Sequence, residues 1–278
     1  MQRLIVPAPA KLNLFLHVTG RRADGWHTLE TLFVALDHGD TVSVSRREDG
    51  TIRRTADLPG IALDDDLALR AAHALKRATG CRDGVDIAVI KRIPQGGGLG
   101  GGSSDAASVL LALNRLWQLN LPRAELMRIG ETLGADVPFF VFGEPAFAHG
   151  VGEQCHAVSL PPLWVAVVVP PVAVSTAEIF ASAELTRNTP SAKMNVFSEG
   201  YGSNDLQPVA TARFPEVGAA LAELRKRSPL ARMTGSGGCV FAPCISETAA
   251  RDALAAQPAG TRGFVARTLA RHPLAAFA

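Results

Sequence analysis

The sequence predicts an α+β protein of two domains with a cleft between them. Three observations carry that reading. Strand-like and helix-like segments are mixed in both halves of the chain. A run of six glycines in seven positions, residues 96–102, joins a strand to a helix, and a second glycine cluster at Gly235, Gly237 and Gly238 precedes a strand near the other end. The 278 residues are 47% hydrophobic and 19% charged, ample for a buried core in one large or two moderate domains.

The elements follow in order. Residues 11–18 contain polar–apolar alternation, as a half-buried strand should. Residues 32–36 and 41–45 read as two further strands, separated by a turn at His38-Gly39-Asp40. Residues 66–79 form a helix with Leu67, Ala71, Ala74, Leu75 and Ala78 on one face and Gly80 closing it. Residues 85–90 are rich in β-branched side chains and read as a buried strand. The glycine run comes next, then a helix over 106–117. A second helix starts near Pro122, which suits a first helical turn, and stops before Gly134.

The second half begins around Cys155. Residues 163–169 are a strand, 176–183 a short helix, and 187–203, rich in Asn, Ser, Thr, Pro and Gly, a loop. Helices over 215–227 and 246–256 flank a strand starting at 237–241, and 264–268 is the last strand. The domain division is expected between residues 1–153 and 154–278.

Composition narrows the function. The net charge is +2, and no basic cluster is longer than Arg225-Lys226-Arg227, so nucleic acid is not an expected partner. Cys81, Cys155, Cys239 and Cys244 lack zinc-site spacing and read as reduced thiols. Pro7 and Pro9 interrupt an N-terminal apolar run too short for a signal peptide, and no stretch is long enough to span a membrane. A cytosolic protein is expected.

Glycine contributes no side chain to a core and loses the most entropy on folding, so six in seven positions call for another reason. Such a loop offers bare backbone N–H groups. The helix behind it adds unpaired N–H groups and a partial positive charge, so the two together make a cradle for a polyphosphate. Gly96, Gly98 and Gly101 also match the dinucleotide pattern G-x-G-x-x-G, which any glycine run satisfies. A Walker-type loop is excluded by the missing Gly-Lys-Ser/Thr ending, and a flexible linker fits poorly between a strand and an amphipathic helix. Ser103 and Ser104 are helix-capping types, and equally fit as donors to phosphate or magnesium.

Residues 94–107, PQGGGLGGGSSDAA, resemble the second motif of the GHMP kinases, which include galactokinase, homoserine kinase and mevalonate kinase. PAKLNL at 9–14 resembles the first motif and TGSGGCVF at 234–241 the third, a loop that in the family lies against the nucleotide loop. RADGWHTL at 22–29, TLGADVPFF at 132–140, RNTP at 187–190 and SNDL at 203–206 are similar to one branch of the family, whose substrate carries a cytidine diphosphate. The resemblance covers nearly the whole chain. It implies a first half like the second domain of ribosomal protein S5 and a ferredoxin-like second half. It also implies phosphorylation of the substrate's 2-hydroxyl with ATP and magnesium, on the non-mevalonate route to isoprenoid precursors.

The resemblance also assigns residues. Asp136 is the implied base that takes the hydroxyl proton. Lys11 is its implied partner, holding the carboxylate ionised and offsetting phosphoryl charge. The local sequence alone would let Asp136 cap a short helix ahead of Pro138, and leave Lys11 on the exposed face of a strand. Asn13 shares the face of Lys11 and fits a substrate contact. Trp26 and Phe180 stand where the base is sandwiched, with His27 at its edge; Trp26 replaces an expected tyrosine. ATP falls to Lys91, Pro94, Gln95, Gly96, Gly97, Gly98, Leu99, Gly100, Gly101, Gly102, Ser103 and Ser104. An adenine contact is expected near Asp66, where the family pattern has Asn. A helix N-cap explains Asp66 on its own. A GHMP kinase for another small alcohol, such as homoserine or a mevalonate derivative, and a catalytically silent GHMP-fold binding protein are the alternatives.

Overall fold

Two long antiparallel strands, β1 (Arg3–Arg21) and β2 (His27–Arg47), are the spine of the molecule. The computed structural model describes residues 2–192, 202–258 and 260–278. The turn between these strands closes with Arg22 N–H donating to the Trp26 carbonyl at 2.7 Å, and Gly25 supplies the φ of +91° it needs. The turn expected at His38-Gly39-Asp40 is absent, because β2 runs straight through it. Gly39 is there for close approach: a Cβ would lie 2.3 Å from the Ala8 carbonyl, beside a register shift between Pro9 and Lys11. Nor is β1 half-buried. It has the first domain on one face and the second on the other, so even Lys11 and Asn13 are 3% and 2% exposed.

The first sheet continues with β3 (Ile52–Arg54), β4 (Gly84–Ile90), β5 (Ala146–His149) and β6 (Gln154–Ala157), in the order β3-β4-β2-β5-β6 with β1 also on β2. Helix α1 (Leu67–Thr79) is capped by Asp66, whose carboxylate accepts from the N–H groups of Ala68 and Leu69, and it ends at Gly80 with φ +67°. Helix α2 (Gly101–Leu116) starts five residues before the expected apolar run, so Ser103 and Ser104 lie inside its first turn rather than at its cap. Helices α3 (Arg123–Glu131) and α4 (Val137–Phe142) complete the domain. Leu75, Leu110, Leu113, Phe139 and Phe140 are almost wholly buried against the sheet. Each contributes about 1.5–3 kcal/mol from transfer out of water.

The second sheet is four-stranded and antiparallel, in the order β10-β7-β9-β8. Chain order runs β7 (Trp164–Val169), α5 (Thr176–Ala181), α6 (Gln207–Arg213), α7 (Pro215–Arg225), β8 (Arg232–Met233), β9 (Val240–Cys244), α8 (Glu247–Ala255) and β10 (Arg262–Arg267). The expected loop over 187–203 is irregular at 187–192, and its residues 193–201 lie outside the described residues. Because β6 pairs with β5, the expected division after residue 153 falls within a hairpin of the first sheet, and the second sheet begins at Trp164.

After β10 the chain returns to the first domain. Leu269 N–H donates to the Ala35 carbonyl at 2.8 Å and His272 N–H to that of Gly143 at 2.7 Å. Leu274 enters the first core, and the Arg123 guanidinium donates to the carbonyls of Ala275 and Ala278 at 2.6 and 2.9 Å. Among the described residues, no helix is long and apolar enough to cross a membrane.

Candidate active site

The two glycine loops interlock backbone to backbone. Cys239 N–H donates to the Gly97 carbonyl at 3.2 Å. A Cβ at Gly98 would lie 2.3 Å from the Thr234 carbonyl, and one at Gly237 would lie 2.1 Å from the Gly98 nitrogen. No side chain fits between them. Leu99, the one interruption of the glycine run, is 1% exposed and anchors the loop in the interdomain core, while its carbonyl accepts from Lys11 N–H at 3.0 Å. Thr234 Oγ1 accepts from Asn13 N–H at 2.9 Å. The three sequence motifs therefore meet at one point.

A pocket of about 280 Å³ opens along the first glycine loop. Lys91, Pro94, Gln95 and every residue from 96 to 102 line it, together with Asp66 and Asp105. Ser103 lines the neighbouring, larger cleft instead. Ser104 faces neither. It is fully buried and its hydroxyl has no hydrogen-bond partner among the described residues.

The ammonium of Lys91 does not stand free. It is paired with Asp40 and, at 2.6 Å, with Asp105. Burial alone would lower the lysine, but the two carboxylates outweigh it and raise it overall. One ammonium cannot satisfy both acids: burial, aided by the Asp40 charge, pushes the Asp105 carboxyl up to about 7. Asp40 also accepts from the N–H groups of Arg92 and Ile93, at 2.5 and 2.8 Å, and so fixes the backbone leading into the loop. Neither Asp40 nor Asp105 was expected at the site. The available signals were an acid beside a strand glycine, and an acid among alanines on a buried helix face.

The larger cleft, of about 810 Å³, is lined by Lys11, Asn13, Trp26, His27, Asp136 and Phe180 among others, so it gathers every residue expected for catalysis and for the acceptor. Lys11 Nζ lies 3.4 Å from Asp136 Oδ2 and 5.0 Å from the centroid of the Phe33 ring. It also donates to Asn13 Oδ1 at 2.5 Å, and Asn13 Nδ2 in turn donates to Thr31 at 2.7 Å. Asn13 thus orients the lysine. Asp136 occupies the N-cap position of α4, yet its carboxylate makes no capping bond there. Its side chain is 32% exposed against 4% for Lys11, which leaves it open to the cleft. Burial, then the Asp136 charge, pushes the Cys155 thiol up to about 12.

At the far end Trp26 stands 62% exposed on the β1–β2 turn. The rings of His27 and Phe180 lie 5.1 Å apart at a 33° tilt. Burial, then the charges of Arg187 and Arg21, lowers the His27 imidazole below its usual range.

Comparison with known proteins gives a consistent picture. The family described as GHMP kinases N terminal domain matches residues 66–144, and GHMP kinases C terminal matches residues 183–259. A 4-diphosphocytidyl-2-C-methyl-D-erythritol kinase of Cupriavidus metallidurans is 55% identical, over 98% of this chain and 95% of the relative. That of Thiobacillus denitrificans is 56% identical over 96% of each. A crystal structure of 4-(cytidine 5'-diphospho)-2C-methyl-D-erythritol kinase superposes with a TM-score of 0.82 at 34% identity, covering 95% of this chain and 99% of the other.

Proposed function

The chain belongs to the GHMP kinases, within their 4-diphosphocytidyl-2-C-methyl-D-erythritol kinase branch, and from that premise we propose that it uses ATP to phosphorylate the 2-hydroxyl of 4-diphosphocytidyl-2-C-methyl-D-erythritol on the methylerythritol phosphate route to isoprenoid precursors. The observation that carries the reading is the Lys11–Asp136 pair in a cleft that borders the first turn of α2, whose other side faces the glycine-lined pocket.

ATP lays its phosphates along residues 96–102, where backbone N–H groups and the start of α2 favour negative charge. The acceptor hydroxyl oxygen attacks the γ-phosphorus. Its proton passes to the Asp136 carboxylate, the bond to the bridging oxygen breaks, and ADP leaves. Lys11 sets a buried positive charge beside both the carboxylate and the transferring group. Asn13 holds Lys11 in place. Trp26 and Phe180 take the cytosine faces and His27 its edge.

Magnesium belongs to the proposal as the ion carried by the nucleotide. Among the described residues no group of three or more His, Cys, Asp or Glu could cage a metal. Magnesium does not need one, since phosphates and water supply most of its ligands. The Ser103 hydroxyl, on the first turn of α2 and open to the cleft, fits as the protein's oxygen donor; the buried Ser104 hydroxyl does not. The ion would screen the phosphate charge.

A coupled ADP-release assay with magnesium-ATP tests the reading. Turnover with the cytidyl substrate, and none with homoserine or mevalonate, is the expected result. Turnover with homoserine or mevalonate instead would overturn the substrate assignment.

A further inference from the structure

We propose that Arg187 is a positioning residue that holds His27 in its Nδ1–H form, so that the cleft offers the nucleobase a hydrogen-bond donor and thereby prefers cytosine to uracil. The inference rests on the cleft being the cytidyl site, and it adds a residue and a selectivity that reading lacks.

Every nitrogen of the guanidinium is engaged. Nε donates to His27 Nε2 at 3.0 Å. Nη1 donates to the Leu185 carbonyl at 3.0 Å, and Nη2 to the carbonyls of Phe180 and Ser182 at 3.0 and 2.6 Å. The last two carbonyls belong to the end of α5, where helical hydrogen bonding runs out and a cation is welcome. One side chain therefore ties the imidazole at the start of β2 to the backbone of the residue whose ring faces it. His27 and Phe180 come from opposite domains, and Arg187 joins them.

The bond to Nε2 also decides chemistry. Arginine has no acceptor and does not lose its proton, so the nitrogen that it donates to must carry the lone pair. The imidazole proton is then on Nδ1. Cytosine presents acceptors at N3 and O2, whereas uracil carries a hydrogen on N3. A donor suits cytosine N3 and meets a second donor in uracil, leaving a desolvated N–H unpaired. The charged groups around His27 are Arg187, Arg21 at the end of β1, and Arg22 with Asp24, which pair with each other at 2.8 Å in the turn. Arg187 and Arg21 both disfavour a second proton on the ring.

The test uses the whole protein, with cytidine diphosphate and uridine diphosphate as probes. Binding of each is measured by calorimetry from pH 5.5 to 8 in the wild type and in Arg187→Gln and Arg187→Lys, alongside nitrogen NMR of the His27 ring. The wild type should show an Nδ1–H imidazole and bind the cytidine ligand at least tenfold better than the uridine one, about the worth of one hydrogen bond. In Arg187→Gln the preference should shrink toward unity. Its pH inflection should rise toward 6.5, while the KM for ATP stays in place. Arg187→Lys should restore part of the preference. An Nε2–H imidazole in the wild type would overturn the proposal without any variant. So would an unchanged preference and inflection in Arg187→Gln. Failure of the wild type to bind either nucleotide would remove the cytidyl reading, while the ring's tautomer would still decide the role of Arg187.

Discussion

The ammonium of Lys11 lies 3.4 Å from the carboxylate of Asp136, the lysine side chain 4% exposed and the aspartate 32%. A buried cation is expensive unless partnered, and this one faces a carboxylate, an amide oxygen and an aromatic ring. The arrangement keeps the charge fixed and leaves the acid accessible.

Asp136→Asn removes the proposed proton acceptor at constant shape. The expected loss in kcat is about 10²–10⁴-fold, with thermal stability and ATP affinity nearly unchanged. Lys11→Met fills the same space without the charge and should lose kcat on a similar scale. Steady-state kinetics with separate ATP binding checks both. Near-normal turnover in Asp136→Asn would remove the base assignment.

The glycines of the proposed nucleotide loop should differ in tolerance. Gly96 has φ +69° with open space around its Cβ position, so Gly96→Ala should cost only the left-handed strain of about 1–2 kcal/mol. Gly98 has φ +78° and in addition a carbonyl 2.3 Å from where Cβ would sit. Gly98→Ala should cost roughly 3 kcal/mol or more and separate the two loops. Thermal unfolding of the two variants, with and without ATP, distinguishes strain from collision.

The raised Asp105 carboxyl has a signed consequence. A carboxyl whose folded value, about 7, lies above its unfolded value near 3.8 supports stability most below pH 4, and that support is lost as pH rises through 7. Asp105→Asn should therefore stabilise the protein at pH 8 by roughly 1–3 kcal/mol, and the gain should vanish near pH 4. Denaturant melts across that range would show it. A destabilised Asp105→Asn at pH 8 would mean that the Lys91 pairing outweighs the burial.

His272 works in the opposite direction. Burial, then Arg123, lowers it to about 4 from 6.5. The unfolded chain takes up a proton as pH falls below 6.5 while the folded chain does not, so stability drops between pH 6.5 and 4. Removing this titration with His272→Gln should flatten that acid limb by up to about 3 kcal/mol. Stability curves of the variant and wild type from pH 4 to 8 provide the comparison.

Part of the proposed site was legible because the glycine run is a local motif. A glycine run ending in a helix keeps its meaning wherever the chain goes, whereas Lys11 and Asp136 took theirs from the family resemblance, the local sequence alone allowing an exposed lysine and a helix cap. What escaped depends on distant partners. The signal His38-Gly39-Asp40 is the same for a turn and for a strand that another strand must touch; only the nearness of Ala8 decides. Asp105 reads as an ordinary helix residue until Lys91 is brought to it from 14 positions away. The polar–apolar alternation of β1 suggested a wet face, since nothing local tells that a second domain will cover it. The chain's return onto the first domain rests on a few contacts, made by His272, Leu274 and Arg123 with residues far away in sequence, and carries no periodic signal.

The interlocked glycine loops bear on assembly. Gly98 and Gly237 touch, although they stand 139 positions apart, so the proposed phosphate cradle takes its shape only after both halves have docked. A fragment lacking residues 234–239 should carry the glycine run yet grip no nucleotide, and mixing it with the complementary fragment should restore the grip. ATP, bound only by the joined form, would then act as a ligand-dependent clamp worth about 2.7 kcal/mol at a hundred times its Kd. Cells rich in ATP would favour the assembled enzyme over its half-folded precursors.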